Sequence, residues 1–253
     1  MDFLVETVYE DPDFAIISKP AGLLAHGIPH HAKKTDGAVN KETLADWILK
    51  HYPETRRIGD DPRLRPGMVH RLDKDTSGAM VIARSKKAFE YLKNLFKEHK
   101  IKKTYLALVL GRLRESGIIN LPIGIKSGTT RRVVFGNKMK FVKPAETRYR
   151  PIKFFCFKNE DLTLAELEPL TGRTHQIRVH LNAIHHPVIG DRIYGGRRPM
   201  ELARVLGLSR QFLHAAGIEF LSPSRTAIRA SVDLPPDLEQ ALNQLQPEPA
   251  DQP

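Results

Sequence analysis

The sequence predicts an α+β fold built on a mixed, mainly antiparallel β-sheet with helices beside it. Short apolar or alternating segments, which are typical of strands, outnumber segments with helical spacing. Glycine and proline follow several of these segments closely, and the short turns that result favour antiparallel pairing. With 253 residues, of which 41% are hydrophobic and 27% charged, the chain can bury a core of ordinary size. These values exclude a wholly disordered protein and a disulfide-stapled peptide.

The first half of the chain alternates between strands and amphipathic helices. In chain order, the patterns predict a strand over 13–18, a helix over 41–51, a strand over 79–83, a helix over 85–99 and a strand over 104–110. The polar stretch 26–40 predicts an exposed loop. The proline-containing stretch 54–66 predicts a long ordered loop that leads into a polar motif at 70–78.

The second half of the chain is richer in strands. The patterns predict extended segments over 132–135 and 154–157, strands over 162–167, 212–220 and 226–231, a helix over 174–184 and a final helix over 236–244. Residues 246–253 are rich in proline and predict a flexible C-terminal tail. We therefore expect one domain over residues 1–245.

Positive charge is concentrated in the middle of the chain. The formal net charge is +11 and the pI is about 9.8. Residues 126–153 hold one acid, Glu146, and nine bases, which are Lys126, Arg131, Arg132, Lys138, Lys140, Lys143, Arg148, Arg150 and Lys153. This distribution predicts a surface that meets phosphates, and a solvated basic face that serves solubility is the alternative.

The cysteine count and the hydropathy limit the location of the protein. Cys156 is the only cysteine, so a disulfide within the chain and a multi-thiolate metal site are excluded. A reducing, cytoplasmic location is expected. No run of about 18 apolar residues occurs, so we expect no membrane span.

The densest polar cluster covers residues 70–78, with the sequence HRLDKDTSG. Asp73 and Asp75 resemble the first ligands of a calcium-binding EF-hand loop, but the twelfth position, which needs a glutamate, holds Arg84. A capped turn explains the small polar residues equally well. It does not explain Arg71, which lies two positions before Asp73 and shares a face with it if the segment is extended.

A second polar cluster covers residues 171–180, with the sequence TGRTHQIRVH. Gly172 allows a tight entry and Thr174 is a candidate helix cap, so the cluster predicts a helix start that can receive an anion. Zinc ligation by its histidines is disfavoured, because His175 and His180 are five residues apart and do not share a helix face. The chain has no Gly-rich phosphate loop, dinucleotide fingerprint or nucleophile-elbow serine.

Together these motifs resemble the pseudouridine synthases of the RluA type, over nearly the whole chain. The matching segments are 17–23 with His26, 65–78, 103–109 with Gly111, 171–181, Pro187 with Gly190-Asp191 and Tyr194-Gly195, and 213–215. The resemblance implies the pseudouridine synthase fold in two subdomains, so that residues 1–245 form the catalytic domain. The first motif begins within about 20 residues of Met1, and we expect no N-terminal S4-type RNA-binding module.

The resemblance implies isomerisation of a uridine within RNA, with base flipping and without a cofactor or a metal. Asp73 matches the essential aspartate, which either attacks the sugar or removes a proton from it. Tyr105 matches the tyrosine that packs on the base. Arg178 matches the arginine that pairs with the aspartate, and a neighbouring guanidinium favours the ionised form of a carboxyl group. Arg71 matches the arginine that fills the space left by the extruded uridine.

Four further residues are expected to contact RNA, namely Lys19, Arg173, His175 and Gln176. The expected partner is ribosomal or transfer RNA, and we expect a monomer. Two other function classes stay open from the residues alone. One is an RNA-binding protein that has kept the fold without the activity, and the other is a metal-dependent nuclease, which lacks a convincing ligand set.

Overall fold

The computed structural model describes residues 4–27, 42–135 and 139–247 of the chain. It confirms the α+β class, with a mainly antiparallel sheet, and the strand pairings described within each unit are antiparallel. Two compact units form, as the resemblance implies. Unit 1 comprises Met1–Ile101 and Gly217–Val232, and unit 2 comprises Lys102–Ala216 and Asp233–Pro253.

The elements are numbered along the chain. The strands are β1 (Glu6–Glu10), β2 (Phe14–Lys19), β3 (Ser77–Ala83), β4 (Lys102–Leu110), β5 (Gly117–Asn120), β6 (Ile123–Lys126), β7 (Arg132–Val133), β8 (Met139–Lys143), β9 (Glu146–Phe157), β10 (Glu160–Pro169), β11 (Leu213–Leu221), β12 (Ala227–Ser231) and β13 (Gln246–Pro247). The α-helices are α1 (Leu44–His51), α2 (Lys86–Lys97), α3 (Gln176–Ala183), α4 (Arg197–Val205) and α5 (Pro236–Asn243). A 3₁₀ helix covers Pro53–Arg57.

Unit 1 is built around β3, all seven residues of which are buried. β2 pairs with β3 and β1 pairs with β2, while the end of β11 forms a hairpin with β12. The apolar face of α2 packs on this layer, and the shared core includes Phe14, Val81, Phe89 and Phe220. Because β2 ends opposite the first residues of β3, the loop that leads into β3 ends beside the last residues of β2.

The two α-helices described in unit 1, α1 and α2, begin at side-chain caps. Thr43 and Asp46 form a capping box at the start of α1, and the Ser85 hydroxyl accepts a hydrogen bond from the Ala88 amide at the start of α2. Such caps satisfy backbone donors that the first turn leaves without partners. The spacing of Ala88, Phe89 and Leu92 explains why α2 buries one face.

Unit 2 contains two sheets. In the larger one β10 pairs with β4 on one side and with β9 on the other, and β5 and β13 pair with different parts of β9. The smaller sheet has three strands in the order β7-β6-β8. Helix α3 packs with the larger sheet in a core that includes Val109, Leu167, Ile177 and Leu181. Strand β4 and helix α3 thereby carry three of the predicted site residues, Tyr105, Gln176 and Arg178, within one packed unit.

The structure differs from the sequence prediction at several elements. Helix α3 begins at Gln176 and not at 174, because His175 adopts a left-handed conformation with φ of 57° and no side chain caps the helix. The strands β1, β5, β6 and β8 and the helix α4 were not predicted. All five residues of β1 are exposed, so it lacks the buried alternation that signals a strand.

Three expectations concern the loops and the end of the chain. The predicted 54–66 loop contains part of the 3₁₀ helix. Most of the predicted 26–40 loop lies outside the described residues. The sequence predicts a flexible tail from residue 246, but Gln246 and Pro247 pair with β9. Residues 248–253 lie outside the described residues. The domain boundary at 245 stays a prediction. Within the described ranges no helix is long and apolar enough to cross a membrane.

Candidate active-site residues

The loop that carries Asp73 joins the end of a long connection to β3 in unit 1, and we refer to residues 70–77 as the aspartate loop. Asp73 is half-buried, and its carbonyl oxygen accepts a hydrogen bond from the Thr76 amide at 3.2 Å, which closes a turn. His70 Nε2 accepts from the Val81 amide at 3.0 Å, and its ring stacks on Phe96 at 4.6 Å. The beginning of the loop is thus attached to β3 and α2.

Lys19 supports the same loop from β2. Its side chain is fully buried, and Nζ donates to the carbonyl oxygens of Pro20 at 2.7 Å and Lys74 at 3.0 Å. The Gly22 amide donates to the same Lys74 oxygen at 2.9 Å. This burial and these hydrogen bonds show that Lys19 supports the aspartate loop, and the RNA contact that the sequence predicts for it stays a prediction.

Arg71 is exposed on the aspartate loop and contacts His26. Its Nη1 lies 3.2 Å from His26 Nε2, and His26 Nδ1 lies 2.8 Å from the Gly27 carbonyl oxygen. A guanidinium only donates and a carbonyl only accepts, so the neutral ring with its proton on Nδ1 satisfies both contacts. Burial, and then the charges of Arg65 and Arg71, hold the pKa of His26 below its usual value, against the Gly27 hydrogen bond and Asp61.

Tyr105 lies on β4 in unit 2, directly opposite Leu167 of β10. It is half-buried and packs against the core cluster that contains Ala107 and Ile177. The ring is therefore fixed by the strand and the core.

Lys103, two residues earlier on β4, was not singled out from the sequence as a site residue. Its Nζ lies 3.5 Å from the Thr171 carbonyl oxygen. Burial lowers the pKa of this ammonium to about 8, although the charge of Glu168 acts in the opposite direction. A lysine that loses its proton this readily was not foreseeable from the sequence, because nothing in the local pattern signals its burial.

Arg178 is buried on α3 and forms a bidentate ion pair with Asp191. Its Nε and Nη2 donate to Oδ2 and Oδ1 of Asp191 at 2.7 and 2.8 Å. Oδ1 also accepts from the amides of Ile193 at 2.9 Å and Tyr194 at 3.0 Å. Burial alone would raise the pKa of Asp191, but the hydrogen bonds and charge of Arg178 and the two amides outweigh it and hold that pKa below its usual value.

Tyr194 connects the Arg178–Asp191 pair to the smaller sheet. The Arg178 guanidinium lies 5.3 Å from the centre of the Tyr194 ring. The hydroxyl lies 2.9 Å from His175 Nδ1 and accepts from the Arg132 amide of β7 at 3.3 Å. His175, which the sequence predicts to contact RNA, thus contacts Tyr194 within the protein.

Gln176 is buried and has a hydrogen bond for each of its polar atoms. Its Oε1 accepts from the Thr171 hydroxyl at 2.6 Å and the Arg173 amide at 2.9 Å. Its Nε2 donates to the Glu146 carbonyl at 2.9 Å and the Thr147 hydroxyl at 3.0 Å. The side chain closes the turn before α3 and attaches it to β9, so its observed contacts are structural, and its predicted contact with RNA stays a prediction. Arg173 is half-buried.

The family model of the RNA pseudouridylate synthases matches residues 13–183. The chain belongs to this family. The matched span contains the aspartate loop, Tyr105 and Arg178, and it confirms the resemblance seen in the motifs. Enzymes of this family are isomerases, which is the class that the resemblance implies for this chain.

Several curated proteins are similar to this family member. An uncharacterized RNA pseudouridine synthase of Chloroflexus aurantiacus is 41% identical over 230 residues, which are 90% of this chain and 66% of that protein. Ribosomal large subunit pseudouridine synthase D of Yersinia pestis is 37% identical over 250 residues, which are 95% of this chain and 70% of that protein. Ribosomal large subunit pseudouridine synthase C of Vibrio parahaemolyticus is 36% identical, over 86% of this chain and 61% of that protein. The chain spans about two thirds of the length of these relatives.

Solved structures agree with the family assignment. Human RNA pseudouridylate synthase domain containing 1 superposes with a TM-score of 0.73 at 27% identity, over 99% of this chain and 91% of that chain. Human RNA pseudouridylate synthase domain containing 4 superposes with a TM-score of 0.69 at 22% identity and supports the fold alone.

Within the synthase fold, the predicted site residues fall into two sets. Unit 1 carries Lys19, Arg71 and Asp73, and unit 2 carries the others, which are Tyr105, Arg173, His175, Gln176 and Arg178. Among the residues that the structure describes, no group of three or more His, Cys, Asp or Glu side chains could hold a metal ion.

Asp191 is the functional candidate that sequence reasoning missed. The Gly190-Asp191 motif was recognised in the sequence, but no role in the site was assigned to Asp191.

Proposed function

We propose that this protein isomerises specific uridines in structured RNA to pseudouridine, with Asp73 as its essential catalytic group. The family match over residues 13–183 carries the proposal, since it spans the loop that presents Asp73. The net charge of +11 supports an RNA substrate, because a basic surface attracts the phosphate backbone.

The reaction replaces one bond at the sugar with another. The C1′–N1 bond of the uridine breaks, the base turns, and a C1′–C5 bond forms. The proton on C5 leaves and N1 takes up a proton, so the reaction balances without an oxidant or a reductant. Asp73 has two alternative roles in this reaction: it attacks C1′ as a nucleophile, or it removes a proton from the sugar as a base.

Tyr105 and Arg178 are the proposed partners of Asp73 in the reaction. Tyr105 offers a half-buried ring of fixed position, which suits packing against a base, and its hydroxyl is proposed to assist loss of the C5 proton. Two hydrogen bonds to Asp191 hold Arg178, which supports its use as a preorganised positive charge. The pairing of Arg178 with Asp73 stays a prediction.

Base flipping is the proposed route by which the uridine reaches Asp73. Taking a base out of its stack costs a few kcal/mol, roughly, and a protein side chain that fills the vacated space offsets part of this cost. The exposure of Arg71 on the aspartate loop supports its assignment to that space. Its contact with His26 supports an ordered side chain in the free protein.

The proposed substrate is ribosomal RNA of the large subunit, because two of the similar proteins are named for that activity. Transfer RNA is the alternative. The proposed location is the cytoplasm, where both RNAs are found, and the proposed form is a monomer that works without a cofactor or a metal. Recognition would depend on RNA shape and on unpaired bases, with phosphate contacts supplying affinity.

Release of tritium from uridine C5 tests this function. Transcripts of large-subunit ribosomal RNA and of transfer RNA, labelled with tritium at uridine C5, are incubated with the full chain and a chelator. We expect tritium in water and intact RNA strands. Transcripts labelled at cytidine C5 are the matched control and should release nothing.

Two results would overturn the proposal. Strand cleavage that the chelator abolishes would indicate a metal-dependent nuclease. RNA binding without release of tritium from any transcript would indicate an RNA-binding protein without activity.

A further inference from the structure

Unit 2 contains a cavity that is separate from Tyr105 and Arg178. Its volume is about 370 Å³. It lies between the smaller sheet and the turn that precedes α3, and the lining includes Arg132, Phe141, Lys143, Gly172 and Arg173. Three of these side chains are cationic and none is acidic. We refer to this feature as the basic cavity.

The cations of the basic cavity have no acidic partners among the described residues. Arg132, Lys143 and Arg173 form no ion pair there. On neighbouring β9, in contrast, Arg148 pairs with Glu168 at 3.8 Å and Arg150 pairs with Glu166 at 3.0 Å. Two cations of β9 are therefore paired with glutamates, whereas the three cations around the cavity are not, which favours an anionic ligand there.

Arg132 provides an independent observation. Its backbone amide is bound by the Tyr194 hydroxyl, yet its side-chain Nε is buried and has no hydrogen-bond partner in the part of the chain that the structure describes. Buried donors without an acceptor are rare in native proteins and usually indicate a missing water, ion or ligand. A guanidinium is suited to a phosphate, because its donors match two oxygens at once.

Phe141 adds an aromatic surface to the same cavity. It is 77% exposed, and its backbone adopts a left-handed conformation with φ of 53°. A bulky residue rarely takes this conformation, and strain of this kind is often found at binding sites. Exposed aromatic rings beside cations are the usual means by which proteins stack unpaired bases.

We propose that the basic cavity binds a phosphodiester of single-stranded RNA, with the adjoining base stacked on Phe141. The inference rests on the proposed function only in that RNA is the substrate. Arg132 and Lys143 contact the phosphate, and Arg173, whose Nε donates to the Pro144 carbonyl at 3.0 Å, borders it. The cavity holds a nucleotide outside the reacting one, so it contributes to RNA affinity and not to the chemical step.

Binding of a short RNA tests the inference without turnover. The probe is a fluorescein-labelled decamer of uridine, and fluorescence anisotropy with the full chain is measured at several salt concentrations. We expect Arg132→Gln to weaken binding about fivefold to tenfold and to reduce the slope of log K against log salt by about one phosphate contact. We expect Phe141→Ala to weaken binding about fivefold or more and to leave the slope unchanged, because stacking releases no counterions.

Matched variants control for lost charge and for misfolding. Arg150→Gln removes a cation that Glu166 already neutralises, so binding should change less than about twofold. Lys143→Gln changes an exposed side chain, and it should weaken binding and lower the salt slope even if Arg132→Gln fails to fold. Equal losses in Lys143→Gln and Arg150→Gln would overturn the inference.

Competition identifies the ligand chemistry. Unlabelled uridine decamer should displace the probe far better than inorganic phosphate or uridine monophosphate, and equal displacement by phosphate would indicate a small-anion site. Tritium release keeps the two proposals apart. If the wild type releases tritium and the cavity variants bind normally, only the cavity inference fails. If the wild type releases none and the variants bind weakly, only the proposed function fails.

Discussion

Arg178 and Asp191 form a buried bidentate ion pair that connects helix α3 to the segment after it. The two donor–acceptor distances are 2.7 and 2.8 Å, and the side chains are 5% and 0% exposed. The Asp191 carboxylate also accepts hydrogen bonds from two backbone amides, so its position does not depend on Arg178 alone. Asp191 thereby sets the orientation of the arginine that the family resemblance places in catalysis.

Asp191→Asn should therefore reduce both stability and activity. The change leaves a buried guanidinium without its counter-charge, and breaking a buried pair in this way costs about 3–5 kcal/mol. We expect a lower urea midpoint and a kcat for tritium release that falls by more than KM changes. Asp237→Asn is the matched control, because it also takes the counter-charge from a buried arginine, Arg210, which is 6% exposed and was not predicted as a site residue. It should lower the urea midpoint and leave kcat unchanged. An Asp191→Asn enzyme with wild-type kcat would show that the pair does not serve the reaction.

The Arg178–Asp191 pair also shows where sequence reasoning ends. Asp191 lies 13 residues after Arg178, beyond α3, and the contact depends on a turn at Gly190. At Gly190 φ is +78°, and a Cβ would lie 2.1 Å from the Arg210 carbonyl oxygen. The motif could be recognised from the sequence, whereas the partner of Asp191 could not, because local patterns do not specify tertiary contacts.

Lys19→Met should loosen the aspartate loop. The change removes an ammonium that donates to the Pro20 and Lys74 carbonyls. The Lys74 oxygen keeps the Gly22 amide as a donor, so the loss falls mainly on the Pro20 carbonyl and costs about 1–3 kcal/mol. We expect a lower thermal midpoint and a lower kcat, with RNA affinity nearly unchanged because Lys19 is buried. Anisotropy with labelled RNA and thermal unfolding measure the two effects. A large loss of affinity with unchanged stability would return Lys19 to the RNA-contact assignment.

RNA affinity should depend on the protonation of His26. Its lowered pKa keeps the ring neutral near pH 7, so Nε2 accepts from Arg71. As the pH falls below the usual histidine range, protonation removes this acceptor and places a positive charge beside Arg71. Among the residues that the structure describes, the charged groups that act on the ring are Arg65, Arg71 and Asp61, and the Gly27 carbonyl oxygen lies against Nδ1.

The pH effect is measured as the ratio of RNA dissociation constants for wild type and His26→Gln between pH 5 and 8. Glutamine accepts a hydrogen bond but does not titrate in this range. We expect the wild type to weaken relative to the variant as the pH falls, while effects of the other histidines cancel in the ratio. A ratio independent of pH would exclude this contact as a determinant of binding.

Stability at high pH should report the buried ammonium of Lys103. The pKa of Lys103 is about 8 in the folded protein, and its ordinary value of 10.5 applies to the unfolded chain. Between these values the unfolded chain binds the proton and the folded chain does not, so the free energy of unfolding rises with pH. Relative to Lys103→Met, we expect a rise of about 3 kcal/mol from pH 8 to pH 10.5. Parallel urea midpoints for the two proteins over this range would contradict the lowered pKa.

Burial of polar side chains was the main feature that the sequence did not predict. The apolar runs of β3 and β4 and the spacing of α2 indicated those elements directly. Lys19 and Gln176 were assigned to RNA because they lie in matching motifs, yet both are buried and bonded to the backbone. A motif shows that a residue type is required, while only the packing shows whether it is required for contact or for support.

The catalytic role of Asp73 is tested most directly by tritium release from C5-labelled RNA under single-turnover conditions. Asp73→Asn keeps the size of the side chain but removes the nucleophile or base. We expect release to fall by on the order of 10³-fold or more while RNA affinity stays within about twofold. The matched variant Asp75→Asn, on the same loop, should release tritium at nearly the wild-type rate. Release by a folded, RNA-bound Asp73→Asn enzyme at the wild-type rate would contradict the catalytic assignment.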